Sequence, residues 1–260
     1  MKNIEAVIFD WAGTTVDYGC FAPVRAFIEV FEEYGISPTI DETREPMGMI
    51  KWDHIKTMMS MPRINDIWKE KYKRNFTDID IDEMHEKFSE KLMGILHNYA
   101  EPKPFTIETV YKLREKNIKI GSTTGYTDDM MSIVTKVAKE NGYEPDCWFS
   151  PTSTNNVGRP YPFMIFKNLE YLKVKSIKNV IKVGDTVSDI LEGKNSGVIT
   201  VGVIEGSSEL ALTEDEFKNL SNEERCLKVE AVKQRYKNAG ADFIINNLQE
   251  LITLIDNLNK

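Results

Sequence analysis

The chain has 260 residues, a formal charge of −8 and 41% hydrophobic side chains, enough for a real core in one large domain or two modest ones. The acidity, with no Lys/Arg block to offset it locally, argues against a nucleic-acid backbone binder. Three widely spaced cysteines (Cys20, Cys147, Cys226) without a Cys-x-x-Cys pair speak against a disulfide framework or a zinc site. They fit a reducing, cytoplasmic setting, as does the lack of a signal peptide or of any apolar run near the ~20 residues of a membrane span.

The first element is an apolar run rich in β-branched and aromatic residues, Ala6 to Phe9, which reads as a strand buried on both faces. It ends at Asp10, followed at once by Gly13, Thr14 and Thr15. A carboxylate there sits where open α/β sheets place ligands, although many strand-end aspartates only start a turn. A long helical region follows. Helices are expected over 22–34, over 41–59, from Pro62 through Tyr72 and over 80–98, with no strand pattern between Thr15 and Tyr99.

Pro102 and Pro104 mark an exit or hinge. Beyond them helix and strand alternate: strands are expected at 118–122, 147–149, 180–183, 199–203 and 243–245. The helices between and after them are expected at 105–116, 128–141, 161–172, 189–196 and 247–258. Residues 205–238 read as surface structure, charged and loop-like, then helical. The alternation predicts an α/β fold: a Rossmann-like parallel sheet core, residues 1–17 and 102–260, with an inserted all-helical cap, residues 18–101.

Three further strand ends carry small polar or charged residues. Thr123-Thr124-Gly125-Tyr126 offers a hydroxyl and backbone N–H groups suited to a phosphate or phosphonate oxygen, or is an ordinary Thr/Gly turn. Gly184-Asp185-Thr186-Val187-Ser188-Asp189 offers two carboxylates of the hard-oxygen kind that suits Mg²⁺, or a helix cap. Arg159, just before a helix opening, could grip a tetrahedral anion or simply be solvated. In a parallel sheet these groups would converge on one edge.

The order Asp10, Thr124-Gly125, Arg159 and Gly184-Asp185-x-x-x-Asp189 resembles the haloacid dehalogenase superfamily over essentially the whole chain. The stretches Phe9 to Pro23, Pro46-Met47-Gly48-Met49-Ile50-Lys51, Gly121 to Thr127 and Val183 to Asp189 resemble its phosphonatase branch. The resemblance implies phosphoryl transfer to Asp10, with Mg²⁺ held by Asp10, the Ala12 carbonyl and Asp185, and Asp189 orienting that shell from behind. It implies that Thr124, Gly125 and Arg159 bind the phosphoryl oxygens, and that the enzyme is a homodimer. Most phosphatases of the superfamily have a second Asp two residues after the nucleophile, and here a methyl group, Ala12, stands in that place. An ester phosphatase would lose a proton donor worth roughly 10²–10⁴-fold in rate.

Read alone, Lys51 is a surface lysine. The resemblance places on it the amine that forms a Schiff base with phosphonoacetaldehyde, whose C–P bond is then hydrolysed. It also puts Cys20, Met47, His54 and Tyr126 in the same pocket. Three other readings stay open: an ester phosphatase or phosphomutase, an aldolase-type lyase using Lys51, and a silent phosphate-binding protein.

Overall fold

The computed structural model describes residues 3–47 and 49–260. Gly48, within the Pro46–Lys51 motif, lies outside the described residues. Strands β1 (Ala6–Phe9), β2 (Lys119–Thr123), β3 (Cys147–Phe149), β4 (Val180–Gly184), β5 (Ile199–Val203) and β6 (Phe243–Ile245) form one parallel sheet. Its order is β3-β2-β1-β4-β5-β6, so the chain reverses direction across the sheet at β1. β1 is buried along its whole length because it is central and covered on both faces. Val7 and Phe9 join the large core that continues into the inserted helices, while Ala6 and Ile8 pack on the opposite face against Ile165 and Leu169. Two-sided burial is why β1 reads as an unbroken apolar run rather than an alternating one.

The insert is helical: α1 (Phe21–Glu33), α2 (Ile40–Arg44), α3 (Lys51–Ser60), α4 (Pro62–Tyr72) and α5 (Asp78–Ile95), closed by a single 3₁₀ turn at Leu96–Asn98. α1 and α3 pack on α5 around a stack in which the Phe27 ring lies 4.1 Å from Phe88 and 3.9 Å from His54. Each such fully buried large side chain contributes roughly 1.5–3 kcal/mol relative to exposure. The helix expected over 41–59 is in fact two. Pro46 has no N–H to donate to the Glu42 carbonyl, so α2 stops at Arg44, with Glu45 as its cap still in helical conformation, and the chain restarts at Lys51. α2 is fixed by a capping box between Thr39 and Glu42, and Arg63 of α4 grips the same Glu42 at 2.7 Å.

The remaining helices are α6 (Thr106–Glu115), α7 (Asp128–Glu140), α8 (Phe163–Tyr171), α9 (Val187–Ser196), α10 (Glu214–Asn219), α11 (Asn222–Asn238) and α12 (Gln249–Leu258). The last expected strands, 147–149, 199–203 and 243–245, lie where anticipated, and the β2 strand runs one residue further than expected, to Thr123. The reading of 205–238 as surface structure holds for the outer faces of α10 and α11 but not for the loop before them. Gly206, Ser207, Ser208 and Leu210 are buried, because this loop leaves the C-terminal end of β5 directly beside the ends of β1 and β4. Among the described residues no helix is long and apolar enough to cross a membrane, and the three cysteines are unpaired.

Candidate active site

β1 and β4 are hydrogen-bonded neighbours, so the residues that follow them meet at one edge of the sheet. The Asp10 N–H donates to the Val183 carbonyl at 2.9 Å, which fixes where the Asp10 side chain leaves the strand. The chain then folds back on itself, with the N–H groups of Thr14, Thr15 and Val16 all donating to the Trp11 carbonyl. Gly13 at φ 86° makes this possible, and a Cβ there would lie 2.1 Å from Asp185 Oδ2. Only glycine permits both the left-handed turn and the close approach of Asp185.

The carboxylates of Asp10, Asp185 and Asp189 offer oxygens within 4.8 Å of one another, all buried. Thr14 Oγ1 lies between the first two, 3.3 Å from Asp10 Oδ2 and 3.2 Å from Asp185 Oδ1. The Ser208 N–H donates to Asp185 Oδ2 at 2.7 Å. Burial, and then the neighbouring Asp10 and Asp189 carboxylates, push the Asp185 carboxyl well above its ordinary value. Asp189 behaves oppositely: Arg159 and Lys182 outweigh its burial and hold it below the usual range. Both Asp189 oxygens are engaged, Oδ1 by Arg159 (3.0 Å) and Lys182 (2.9 Å), Oδ2 by the Thr186 hydroxyl (2.6 Å). Among the described residues nothing donates a hydrogen bond to the Ala12 carbonyl. A raised carboxyl, a second carboxylate and a free carbonyl form an oxygen-only donor set that fits Mg²⁺.

Arg159 is the hub of the site. It donates to Asp10 Oδ1 (2.6 Å), to the Thr123 carbonyl (2.9 Å) and hydroxyl (2.9 Å), and through Nε to Glu192 (3.0 Å). The sequence reading missed the groups that hold it. Lys182, fully buried in the middle of β4, donates to the Thr123 hydroxyl at 2.8 Å and pairs with Asp189 and Glu192. A lysine inside the run Val-Ile-Lys-Val was the available signal, and Glu192, three residues beyond Asp189 on α9, shares its helical face. Lys103 and Ser208 gave no comparable signal. In all, the buried carboxylates of Asp10, Asp185, Asp189 and Glu192 face the buried cations Arg159, Lys182 and Lys103. With Asp185 ionised, as a metal ligand must be, that balance leaves one negative charge in excess, which a divalent cation would reverse in favour of a dianionic ligand.

At the end of β2, Thr124 is buried and its hydroxyl oxygen accepts the Tyr126 N–H at 3.0 Å, leaving its hydrogen free to donate elsewhere. Gly125 is exposed, and a Cβ placed on it meets nothing within 4 Å. The protein's own packing therefore does not demand a glycine at this position.

The insert faces this edge with Lys51, the first residue of α3. The amine is partly buried, 5.7 Å from the centre of the Phe27 ring. Burial depresses its pKa below the ordinary lysine value, with Arg159 adding repulsion while Cys20 and Asp10 oppose. The positive end of the α3 dipole acts in the same direction as burial. His54, one turn on, is stacked on Phe27 and its Nε2 lies 2.8 Å from the Thr43 carbonyl. A carbonyl only accepts, so Nε2 carries the hydrogen and Nδ1 presents a lone pair. Burial and then Lys51 push His54 down to about 3.

Cys20 and Tyr126 are buried close by, and burial followed by the Asp17 and Asp185 charges raises the thiol well above its usual range. Met47 is half-buried. It lines an open cleft of about 1150 Å³ between the insert and the core, together with Arg44, Ile50, Arg159 and Ser208. The structure thus brings Asp10, Asp185, Asp189, Arg159 and Thr14 into direct contact, with Lys51, His54 and Cys20 on the insert side and Tyr126 in the core loop after β2.

A model of the haloacid dehalogenase-like hydrolases matches residues 4–197. The chain belongs to this hydrolase family. It is 50% identical to a phosphonoacetaldehyde hydrolase of Lysinibacillus sphaericus over 99% of this chain and 96% of that one. It is equally similar, 50%, to a phosphonoacetaldehyde hydrolase of Bacillus cereus, over 99% of this chain and 97% of the relative. Among solved structures, a phosphonoacetaldehyde hydrolase-like protein from Oleispira antarctica superposes with a TM-score of 0.93 at 37% identity. That match covers 98% of this chain and 92% of the other. A member of the hydrolase family with a methyl group at residue 12 and a depressed amine at residue 51 departs from the arrangement expected of an ester phosphatase.

Proposed function

We propose that this hydrolase cleaves the C–P bond of phosphonoacetaldehyde to give acetaldehyde and phosphate. The observation that carries the reading is the Lys51 amine, depressed below its ordinary value and held at a helix N-terminus toward the Asp10 edge. Carbon leaves phosphorus only if the electron pair has a sink, and a protonated imine is one. The neutral Lys51 amine condenses with the aldehyde and releases water. An Asp10 oxygen attacks phosphorus in line, the P–C bond breaks, and its electron pair passes into the imine to give an enamine on Lys51 and an acyl phosphate on Asp10. The enamine takes a proton on carbon and is hydrolysed to acetaldehyde and free amine, while a second water releases phosphate from Asp10. The net reaction consumes one water.

The His54 Nδ1 has no hydrogen-bond partner among the described residues and lies one turn from Lys51 on α3. Arg159, the Thr124 hydroxyl and the Gly125 amide bind the phosphoryl oxygens, and the Lys182–Glu192 pair keeps Arg159 oriented toward them. Mg²⁺ would be held by Asp10, the Ala12 carbonyl and Asp185, with Asp189 behind, and supplies charge neutralisation at the phosphoryl group. Because Asp10 stands on the sheet and Lys51 on the insert, the insert closes over substrate as a cap and excludes water. The reading includes a cytoplasmic enzyme acting as a homodimer, which sedimentation of the purified protein tests. Phosphorus NMR for phosphate and proton NMR for acetaldehyde together test the reaction: equimolar amounts of the two are expected from phosphonoacetaldehyde, and hydrolysis of p-nitrophenyl phosphate at a comparable rate would favour an ester phosphatase instead.

A further inference from the structure

Lys103 has no part in the chemistry just described, yet it is a buried lysine at the joint between cap and core. It lies between Pro102 and Pro104 on the segment that returns from the cap. Its own N–H donates to the Thr15 carbonyl at 2.8 Å, and Val16 bridges Pro102 beside it. Its ammonium crosses to two other segments, donating to the Gly13 carbonyl and, at 2.7 Å, to the Glu205 carbonyl. The Tyr18 ring covers it, with the nitrogen 5.4 Å from the ring centre. Gly206 leaves it room: a Cβ there, at φ 69°, would lie 2.7 Å from both Lys103 Cε and Nζ.

The two carbonyls it joins belong to the loops that build the candidate metal site. Gly13 follows Ala12 and packs its Cα against Asp185. Glu205 opens the loop in which Ser208 N–H holds Asp185, and in which the Gly206 and Ser208 carbonyls receive Gly19 and Arg44 from the cap side. One ammonium therefore connects the hinge, the Ala12–Gly13 turn and the loop that orients Asp185.

We infer that Lys103 is a positioning residue that holds the Ala12 carbonyl and Asp185 at the spacing Mg²⁺ needs, tying metal affinity to the cap hinge. The inference rests on the proposed function for the identity of the metal site. Electrostatics alone predicts the reverse outcome on mutation, because removing a cation near Asp185, Glu205, Asp17 and Asp10 favours another cation. Positioning predicts weaker binding, since partners behind metal ligands are worth roughly 10–100-fold in affinity.

The test is calorimetric titration of the metal-stripped protein with Mg²⁺ at neutral pH, comparing the parent with Lys103→Met. Thermal melting and borohydride trapping of phosphonoacetaldehyde on Lys51 serve as metal-independent readouts. A dissociation constant raised about tenfold or more, with trapping retained, supports the inference. An unchanged or tighter constant overturns it while leaving the proposed reaction intact. Should K103M fail to fold, K103Q, which keeps a polar tip at similar reach, is read by the same criterion. A parent that binds no Mg²⁺ at all overturns the inference together with the reading beneath it.

Discussion

His54 makes the cap acid-sensitive, and by a predictable amount. The ring is fully buried between Phe27 and the Thr43 carbonyl, and burial with the Lys51 charge lowers its pKa from 6.5 to about 3. Between those two values the unfolded chain binds a proton that the native protein does not. Native stability is therefore complete above the unfolded pKa and falls as pH drops through the window, by about 1.4 kcal/mol per pH unit. Near pH 5 the loss attributable to His54 is about 2 kcal/mol, or about 4–8 °C in melting temperature for a chain of this size.

Asp17, raised to about 7 by burial despite its bonds from the Phe21 and Ala22 amides, has the opposite sign and loses stability as pH rises through the acidic range. The informative quantity is thus a difference. Urea unfolding of the parent and of His54→Gln, measured at steps from about pH 7.5 to about pH 5, isolates the imidazole. H54Q is expected to be less stable at the upper pH, having lost the stack on Phe27, but to have a flatter pH profile by up to one proton. Parallel profiles for the two proteins would refute the assignment of a buried, neutral imidazole.

Two further substitutions probe the Asp10 loop. Gly13→Ala forces a side chain into a left-handed turn, which costs roughly 1–2 kcal/mol. It also drives Cβ to 2.1 Å from Asp185 Oδ2, so loss of Mg²⁺ binding with a lowered melting temperature is expected. Wild-type metal affinity in G13A would show that the turn tolerates displacement. Ala12→Asp supplies the proton donor that an ester's leaving oxygen needs, a contribution of roughly 10²–10⁴-fold where such a donor acts. A rise in p-nitrophenyl phosphate turnover with a fall in C–P cleavage is expected, and no rise would mean that the methyl group is not what withholds ester hydrolysis.

The sequence exposed the parts of the site whose chemistry is written in local pattern. Asp10 was visible because a doubly buried parallel strand is an unbroken apolar run whose end is marked by the first carboxylate, and Asp185 because it is the first carboxylate after the Val183-Gly184 end of β4. Arg159 was visible only as a charge before a helix, and its importance came from order along the chain. What holds these groups is set by long-range packing and left little trace. Lys182 is read as an interruption in β4 until Thr123, Asp189 and Glu192 are seen around it. Ser208 acts through its backbone N–H, so its side chain carries no signal. Lys103 bonds only carbonyls, which no residue type advertises. The break between α2 and α3 was legible in Glu45-Pro46 and was overridden by a helical spacing that Pro46 interrupts. It matters because the restart makes Lys51 the first residue of a helix, where the dipole acts with burial to lower its pKa.

The central claim is that Lys51 forms the covalent bond to substrate that makes carbon a leaving group. Incubating the enzyme with phosphonoacetaldehyde, reducing with borohydride and mapping the adduct by peptide mass spectrometry tests it most directly. The account predicts a reduced adduct on Lys51, absent from Lys51→Arg, with phosphate release lost in the same variant. An enzyme that releases phosphate from phosphonoacetaldehyde without an adduct at Lys51, or whose K51R variant keeps the parent rate, would contradict it.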